Sequence, residues 1–221
     1  MPMTVPDPVA NVTRAAHDVG LAAWLGGAMF GKFAHNPSLT RISARAERGA
    51  TANAAWNGYN LINAAGLGAA ALGWGAARLT EASNPNLTPT EKTLSQAKDV
   101  FMGLSVLTGI LNGIQGARLA KQAPGGAVPV ETGTVPAPET PPAAARIQRS
   151  LGVLGNLNIA SGIGLVAVNA VLSQTNHSHP AKRRALTRST KQGGSDGSPL
   201  WLASALATTA AVVDEARRRL A

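Results

Sequence analysis

Charged and apolar residues divide this chain into long charge-free stretches separated by shorter polar segments. No Asp, Glu, Lys or Arg occurs at positions 49–77, 100–117 or 150–181, and Lys32 is the only charge at positions 19–40. Each stretch is close to or above the roughly 20 residues that a helix needs to cross a hydrocarbon core. The pattern predicts an all-α fold, a four-helix transmembrane bundle.

The four predicted spans belong to one membrane domain, residues 12–173. Asn36-Pro37-Ser38 is expected to end the first span, and Arg78 closes the second. A further turn around Asn84-Pro85 precedes the third. The predicted spans cover residues 15–34, 52–77, 100–117 and 147–173.

The segments outside the spans have distinct compositions. Residues 1–11 are Pro-rich and expected to be disordered, and the linker 122–145 holds six prolines, which predicts an extended and mobile loop. Residues 174–199 are predicted to form a flexible basic tail, and residues 200–221 are predicted to form a C-terminal amphipathic helix. Its apolar part is too short to span a bilayer unaided, so an interfacial position is expected, with a fifth span as the alternative.

The apolar content is largely Ala and Gly, which partition weakly into lipid. A soluble Ala-rich helical protein that binds anionic polymers is therefore an alternative. A soluble helix, however, shows a charged outer face with a period of about 3.6 residues, and the four stretches lack one. The chain has no cysteine, which excludes disulfides and thiolate metal sites.

The formal charge of +9 is concentrated towards the C-terminus. Anionic headgroups of membrane lipids are the expected partner, and nucleic acid is disfavoured because the first basic block contains no aromatic residue for stacking. The tail favours cytoplasmic termini in a plasma membrane, whereas basic residues such as Arg45 and Arg149 favour the reverse. The predicted lipid-facing residues are Lys182, Arg183, Arg184, Arg188, Lys191, Arg217, Arg218 and Arg219.

Small and polar residues recur at helical spacing within the spans. Lipid provides no hydrophobic driving force for the association of helices. Close approach at glycine and hydrogen bonds between polar side chains must therefore hold them together. Unpaired amides are costly in hydrocarbon, so these faces are expected to point into the bundle. There they would either hold the helices together or line a polar path. Contacts with a second copy or another membrane protein are a further possibility. The candidates are Gly27, Gly31, Asn57, Asn60, Ser105, Thr108, Gly109, Asn112, Gly113, Gln115, Asn158 and Asn169.

Three tryptophans are predicted to anchor the chain at the membrane surface. Trp56 and Trp74 lie about 27 Å apart along one helix at about 1.5 Å per residue, which is close to the hydrocarbon thickness. Trp201 is placed at headgroup depth by the amphipathic C-terminal segment.

Motifs for catalysis are missing from the sequence, and no catalytic residue, cofactor or metal site is predicted. His17-Asp18 is expected to mark a helix entrance, with metal binding or pH sensing as the alternative. Two functions follow: a non-catalytic structural or interaction component of the membrane, or a small-solute transporter or channel component lined by polar faces of spans 2–4.

Several short motifs resemble a group of small, functionally unassigned membrane proteins of actinobacteria. They are Ala16-His17-Asp18 with Leu21-Ala22-Ala23-Trp24-Leu25-Gly26-Gly27, then Asn53-Ala54-Ala55-Trp56, and the Pro-rich linker before the fourth span. The resemblance covers residues 12–173 and leaves out the tail after Ser173. It implies a four-helix bacterial plasma-membrane protein and no reaction.

Overall fold

Four long helical segments dominate the computed structural model, which describes residues 7–123, 125 and 127–178. The first is composite. Helix α1, Asp7–Phe30, continues through a π-helical turn, Gly31–His35, a short α2, Asn36–Ser38, and a 3-10 turn, Leu39–Arg41. Proline has no N–H and its ring crowds the preceding turn, and the wider π turn ends two residues before Pro37. The helical course continues past the predicted stop at Asn36-Pro37-Ser38 and ends at Arg41.

The other long helices are α3, Arg45–Leu79, α4, Pro89–Ala120, and α5, Pro142–Ser178. Helix α4 begins with a capping box, in which the Thr88 hydroxyl accepts from the Glu91 backbone N–H at 3.3 Å and the Glu91 carboxylate accepts from the Thr88 backbone N–H at 2.9 Å. All four helical segments extend beyond the predicted spans, because their polar end turns continue the helices.

The helices pack chiefly as two pairs, α1 on α3 and α4 on α5. Backbones approach closely in the first pair, where a Cβ on Gly66 would lie 2.8 Å from the Gly20 carbonyl oxygen. The pairs meet at Trp24, which is fully buried, and a Cβ on Gly162 of α5 would lie 3.0 Å from its ring. Glycine at these positions lets the helices touch without displacing an aromatic side chain.

The Pro-rich linker is folded where the structure describes it, so the prediction of an extended, mobile loop is wrong there. Strands β1, Val130–Thr132, and β2, Val135–Pro136, form an antiparallel hairpin. Val128, Val130 and Ala137 are buried, and the Thr140 hydroxyl donates to the Pro129 carbonyl at 2.7 Å. Prolines suit a short edge strand and tight turns, while the intervening valines supply the buried contacts that hold the segment on α3 and α5.

Two further boundaries differ from prediction. Residues 7–11, part of the N-terminal segment expected to be disordered, already belong to α1. Helix α5 continues to Ser178, into the predicted flexible tail. The C-terminal amphipathic helix 200–221 lies outside the described residues.

Within the described part of the chain, two helical regions are long and apolar enough to cross a membrane, Pro89–Ala120 and Pro142–Thr175. The all-α, four-helix organisation is confirmed. Helices α1 and α3 fall below the same threshold, and much of their apolar content is Ala and Gly.

Large apolar side chains are exposed along the outer faces of the helices. Only 17% of the most apolar 18-residue stretch of α4 is buried. Extensive exposed apolar surface is uncommon on a monomer in water and usually contacts lipid or protein. The exposed residues of α4 are Val100, Leu104, Leu107, Ile110, Leu111 and Ile114.

Candidate functional site

Seven polar or aromatic side chains from all four long helices meet at the end of the bundle that holds the start of α1. We call this group the Trp74 cluster. The α3–α4 connection is short, so the end of α3 and the start of α4 must lie side by side, and the antiparallel course brings the end of α5 there too. Its members are His17, Asp18, Trp74, Arg78, Lys98, Asp99 and Asn169.

Lys98 is the centre of this cluster and is only 3% exposed. Its ammonium lies 4.0 Å from the centroid of the Trp74 ring and donates to the Asn169 Oδ1 at 2.5 Å. The Asn169 amide in turn donates to the Asp18 carboxylate at 3.2 Å. Asn169 thus links the buried ammonium of Lys98 to the carboxylate of Asp18 through two hydrogen bonds. The π face of the Trp74 indole replaces part of the water that the ammonium loses on burial.

Trp74 also contacts the ion pair that Arg78 and Asp99 form within the cluster. Its indole N–H donates to the Asp99 Oδ1 at 2.8 Å, and the other oxygen of Asp99 lies 3.2 Å from the Arg78 guanidinium. Arg78 lies 6.0 Å from the centroid of the same indole ring. The ring is therefore held by a hydrogen bond at its edge and by cations near its face.

His17 is the member of this cluster that is buried against α3. Its Nδ1 lies 2.6 Å from the Ala70 carbonyl oxygen, which can only accept, so Nδ1 carries the proton. A Cβ on Gly73 would lie 2.8 Å from the His17 Cβ, so glycine is needed for this approach. The His17 ring therefore packs α1 against α3, a role that the prediction of a helix entrance at His17-Asp18 did not include.

A second polar network lies between α4 and α5. The Ser105 and Ser161 hydroxyl oxygens are 3.0 Å apart, and the Asn158 amide donates to the Ser105 carbonyl at 3.1 Å and to the Thr108 hydroxyl at 2.8 Å. Gln115 donates to the Ser150 hydroxyl at 3.1 Å nearer the end of α4. The predicted residues of this network point towards the α4–α5 contact, and two of their partners, Ser150 and Ser161, were not predicted from the sequence.

The predicted glycine pairs differ in what they contact. Gly27 lies against the ring of Tyr59 and Gly31 against the ring of Trp56, both within the α1–α3 pair. Gly109 faces Leu67 of α3, whereas Gly113 faces open space. Of the two predicted pairs, Gly27 and Gly31 both contact side chains of another helix, whereas in the other pair only Gly109 does.

The prediction that the asparagines of the second span point inward is wrong for two of them. Asn57 and Asn60 are exposed on the outer face of α3. Asn57 lies nine positions before the buried Gly66, which is about two and a half turns and therefore the opposite side of the helix. Asn112 of α4 is half-buried. The α3 amides do not join the α4–α5 network.

The predicted anchors also occupy different settings. Trp56 is half-buried against Gly31, and Trp74 is buried under Lys98, so its ring contacts a cation and not lipid. Trp201 and all eight predicted lipid-facing basic residues lie outside the described residues.

The opposite end of the bundle carries an ion-pair network that sequence reasoning missed. Glu131 of the hairpin lies 2.6 Å from Arg45 and 3.1 Å from Arg48, and Arg45 also lies 3.2 Å from Glu139. Arg48 donates to the Ile42 carbonyl at 2.7 Å, which ties the start of α3 to the preceding loop. The two residues of each ion pair are more than 80 positions apart in the sequence, so no local sequence pattern indicates these contacts.

An open cavity of about 660 Å³ lies beside this network, between the hairpin and the start of α5. Two arginines one turn apart, Arg146 and Arg149, stand on its α5 wall. The remaining lining is Glu131, Pro136, Ala137, Pro138, Thr140, Pro142 and Ala145.

Within the part of the chain that the structure describes, no group of three His, Cys, Asp or Glu side chains could hold a metal ion. Comparison of the chain with protein-family models, with curated proteins and with solved structures finds no match. The arrangement itself offers a buried ammonium, a bonded polar interior and an arginine-lined cavity.

Proposed function

We propose that this chain is a multi-pass integral membrane protein with a structural or interaction role, in which all four long helices cross the bilayer. One observation supports this most directly: apolar side chains are exposed on the outer face of α4, while polar side chains are buried between α4 and α5. Large apolar side chains such as Leu107 and Ile110 are exposed, while Ser105, Thr108 and Asn158 are buried and bonded to one another. A bilayer stabilises that distribution, and water opposes it.

The weak apolar character of α1 and α3 fits this proposal when packing is considered. Helices that are poor in Leu and Ile gain little from lipid, and close contact at small residues provides the alternative source of stability. Gly20, Gly66 and Gly73 supply such contacts between α1 and α3. The α1–α3 pair would then be held in the membrane partly by its fit to α4 and α5.

A structural role is favoured over catalysis by how the polar groups are used. The α4–α5 hydroxyls and amides are bonded to each other, so they act as contacts between helices. Asn57 and Asn60 are exposed amides on a lipid-facing helix in this proposal, and exposed amides in hydrocarbon favour pairing with another helix. The basic C-terminal residues would contact anionic headgroups.

Cysteine labelling tests the proposal directly because the chain has no cysteine of its own. Single substitutions Ser43→Cys, Thr90→Cys and Leu107→Cys place a thiol on three exposed side chains, two near opposite ends of the bundle and one in the middle of α4. In native membranes, a water-soluble maleimide should label positions 43 and 90 and leave position 107 unlabelled until detergent is added.

The same variants distinguish the alternatives. Labelling of position 107 without detergent, or release of the chain by alkaline carbonate, would contradict the membrane proposal and favour a soluble helical protein. In intact cells an impermeant reagent should reach only one of positions 43 and 90. Reaction at 43 alone would place the N-terminus of the bundle in the cytoplasm.

A small-solute transporter or channel component is the second candidate, and Lys98 favours it. An ionisable side chain buried near the end of a membrane helix commonly belongs to a solute or ion path. Reconstituted vesicles with Lys98→Met, compared with the exposed Lys92→Met of the same helix, test this. A loss of solute flux with unchanged assembly and unfolding midpoint would favour transport, whereas a changed midpoint without measurable flux in any variant would favour the structural role.

A further inference from the structure

We propose that the cavity between the hairpin and the start of α5 binds a phosphate group that carries net negative charge. An anionic phospholipid headgroup or a free phosphate could supply it. The lipid source rests on the proposed membrane location, whereas the cavity chemistry does not. The volume of about 660 Å³ lies within the range of small-molecule sites.

The carboxylate in the cavity does not neutralise its arginines. Both oxygens of Glu131 are occupied by Arg45 at 2.6 Å and Arg48 at 3.1 Å. Among the described residues, Arg146 and Arg149 have no ion-pair partner. The cavity therefore carries uncompensated positive charge from two exposed guanidinium groups.

The spacing of these arginines suits a tetrahedral anion. Residues three apart on a helix lie on the same face, so Arg146 and Arg149 both reach the cavity. A guanidinium presents two parallel N–H donors to a phosphate and stays charged at any physiological pH. Two such groups can donate to different oxygens of one phosphate.

The start of α5 adds to the same electrostatic field. Pro142 and Ala145 of its first turn line the cavity, and that turn contains no acidic residue. The first amides of a helix point towards its N-terminal end and favour anions there. The cavity thus combines this helix end with two free arginines, and its other wall is formed by Pro136, Ala137 and Pro138.

The position along the helix favours a headgroup over a free anion. The cavity opens where the apolar region Pro142–Thr175 begins, so it would lie at the membrane surface in the proposed arrangement. A phosphate bound there could keep its acyl chains against the exposed side chains of α5, such as Val153 and Leu157.

A local fluorescence measurement tests the site on the full chain. A Pro138→Cys variant carries the only thiol, and an environment-sensitive maleimide dye attached there reports binding in the cavity and not at the basic tail. In a neutral detergent, phosphatidylglycerol should produce a saturable signal. The double substitution Arg146→Gln/Arg149→Gln should weaken binding at least about tenfold, because both charge-assisted contacts to the phosphate are lost.

The matched control is Arg118→Gln/Lys121→Gln, which removes the same charge from exposed residues at the end of α4, outside the cavity lining. It should change the affinity by less than about threefold, because these side chains do not line the cavity and the solvent screens their exposed charges. Equal losses in both double variants, or no saturable signal with any phosphate compound, would overturn the proposal.

The source of the phosphate is assigned by two further titrations. Saturation by phosphatidylglycerol and not by inorganic phosphate identifies a lipid headgroup, whereas saturation by inorganic phosphate identifies a soluble anion. Release of the chain from membranes by carbonate would contradict the membrane proposal alone, and the inorganic phosphate titration would still test the cavity.

Discussion

The ammonium of Lys98 lies 4.0 Å from the centroid of the Trp74 ring, at a point where all four long helices meet. Trp74 also donates from its indole N–H to Asp99, the residue after Lys98. One indole therefore contacts two adjacent residues of α4, one through its face and one through its edge. This double contact fixes the end of α3 against the start of α4.

Replacement of Trp74 should show how much each contact contributes. Trp74→Phe keeps a ring under Lys98 and loses the hydrogen bond to Asp99, so we expect the free energy of unfolding to fall by about 1–2 kcal/mol. Trp74→Leu also removes the cation–π contact and leaves a cavity, so we expect a loss of about 3–5 kcal/mol. Unfolding by a denaturing detergent in mixed micelles, followed by helical circular dichroism, measures both.

The half-buried Trp56 provides the control for loss of an indole on the same helix. Trp56→Phe should change the stability less than Trp74→Phe, because no described hydrogen bond depends on its N–H. Equal stabilities of Trp74→Phe and Trp74→Leu would show that the Lys98 contact contributes nothing.

The existence and order of the helices could be predicted from the sequence, and their lengths could not. Charge-free stretches locate helices because charged residues mark their ends. Helices nevertheless continue into the polar turns, as at Thr88, where a capping box supplies the start of α4. The folded linker was missed because its stability comes from buried Val128 and Val130 and from contacts with distant residues, and not from local propensity.

Periodicity predicted which residues share a helix face and did not predict where that face points. The stripe of α4 containing Ser105 and Thr108 points inward, while Asn57 and Asn60 of α3 point outward. The close approach of Gly66 to α1 decides this, since it orients α3 and turns the opposite face to the surroundings. One sequence can indicate which glycines allow close contact, as at Gly27 and Gly31, but not which helix each of them will contact.

Removal of the Asn158 amide should destabilise the α4–α5 pair. Asn158→Leu loses two hydrogen bonds and leaves the Thr108 hydroxyl with one partner fewer, so we expect a loss of about 1–2 kcal/mol. The matched control is Asn57→Leu, the same change on an exposed face, which should alter the monomer stability by less than about 0.5 kcal/mol.

The same two variants separate packing within the chain from packing between chains. Asn57→Leu should lower the oligomer size or partner recovery if the exposed amide binds another helix, while Asn158→Leu should lower the unfolding midpoint. A larger effect of Asn57→Leu than of Asn158→Leu on the unfolding of the isolated monomer would contradict the exposed position of Asn57 and the buried position of Asn158.

A methyl group at Gly27 should disrupt the α1–α3 contact. Its Cβ would overlap the ring of Tyr59, and the Tyr59 hydroxyl is held by a 2.6 Å hydrogen bond to the Ala23 carbonyl, so the ring cannot simply move aside. Gly27→Ala should therefore cost about 1–3 kcal/mol of stability. Gly26→Ala is the control, since a Cβ there meets nothing within 4 Å. It should be neutral or stabilising by up to about 1 kcal/mol through helix propensity, and equal destabilisation by both substitutions would contradict the argument.

The ion pairs of Glu131 should determine how firmly the hairpin is held. Glu131→Gln removes the charge that Arg45 and Arg48 share, and the Arg48 guanidinium is only 12% exposed, so its lost partner is not fully replaced by water. We expect faster amide hydrogen exchange at Val130–Thr132, with rates rising about tenfold for each 1.4 kcal/mol lost, and little change in the middle of α4. Glu139→Gln is the control: its carboxylate is 47% exposed and pairs with Arg45 alone, so exchange in the strands should rise less. Equal acceleration by both substitutions would indicate that the hairpin is held by its buried valines and not by the Glu131 charge.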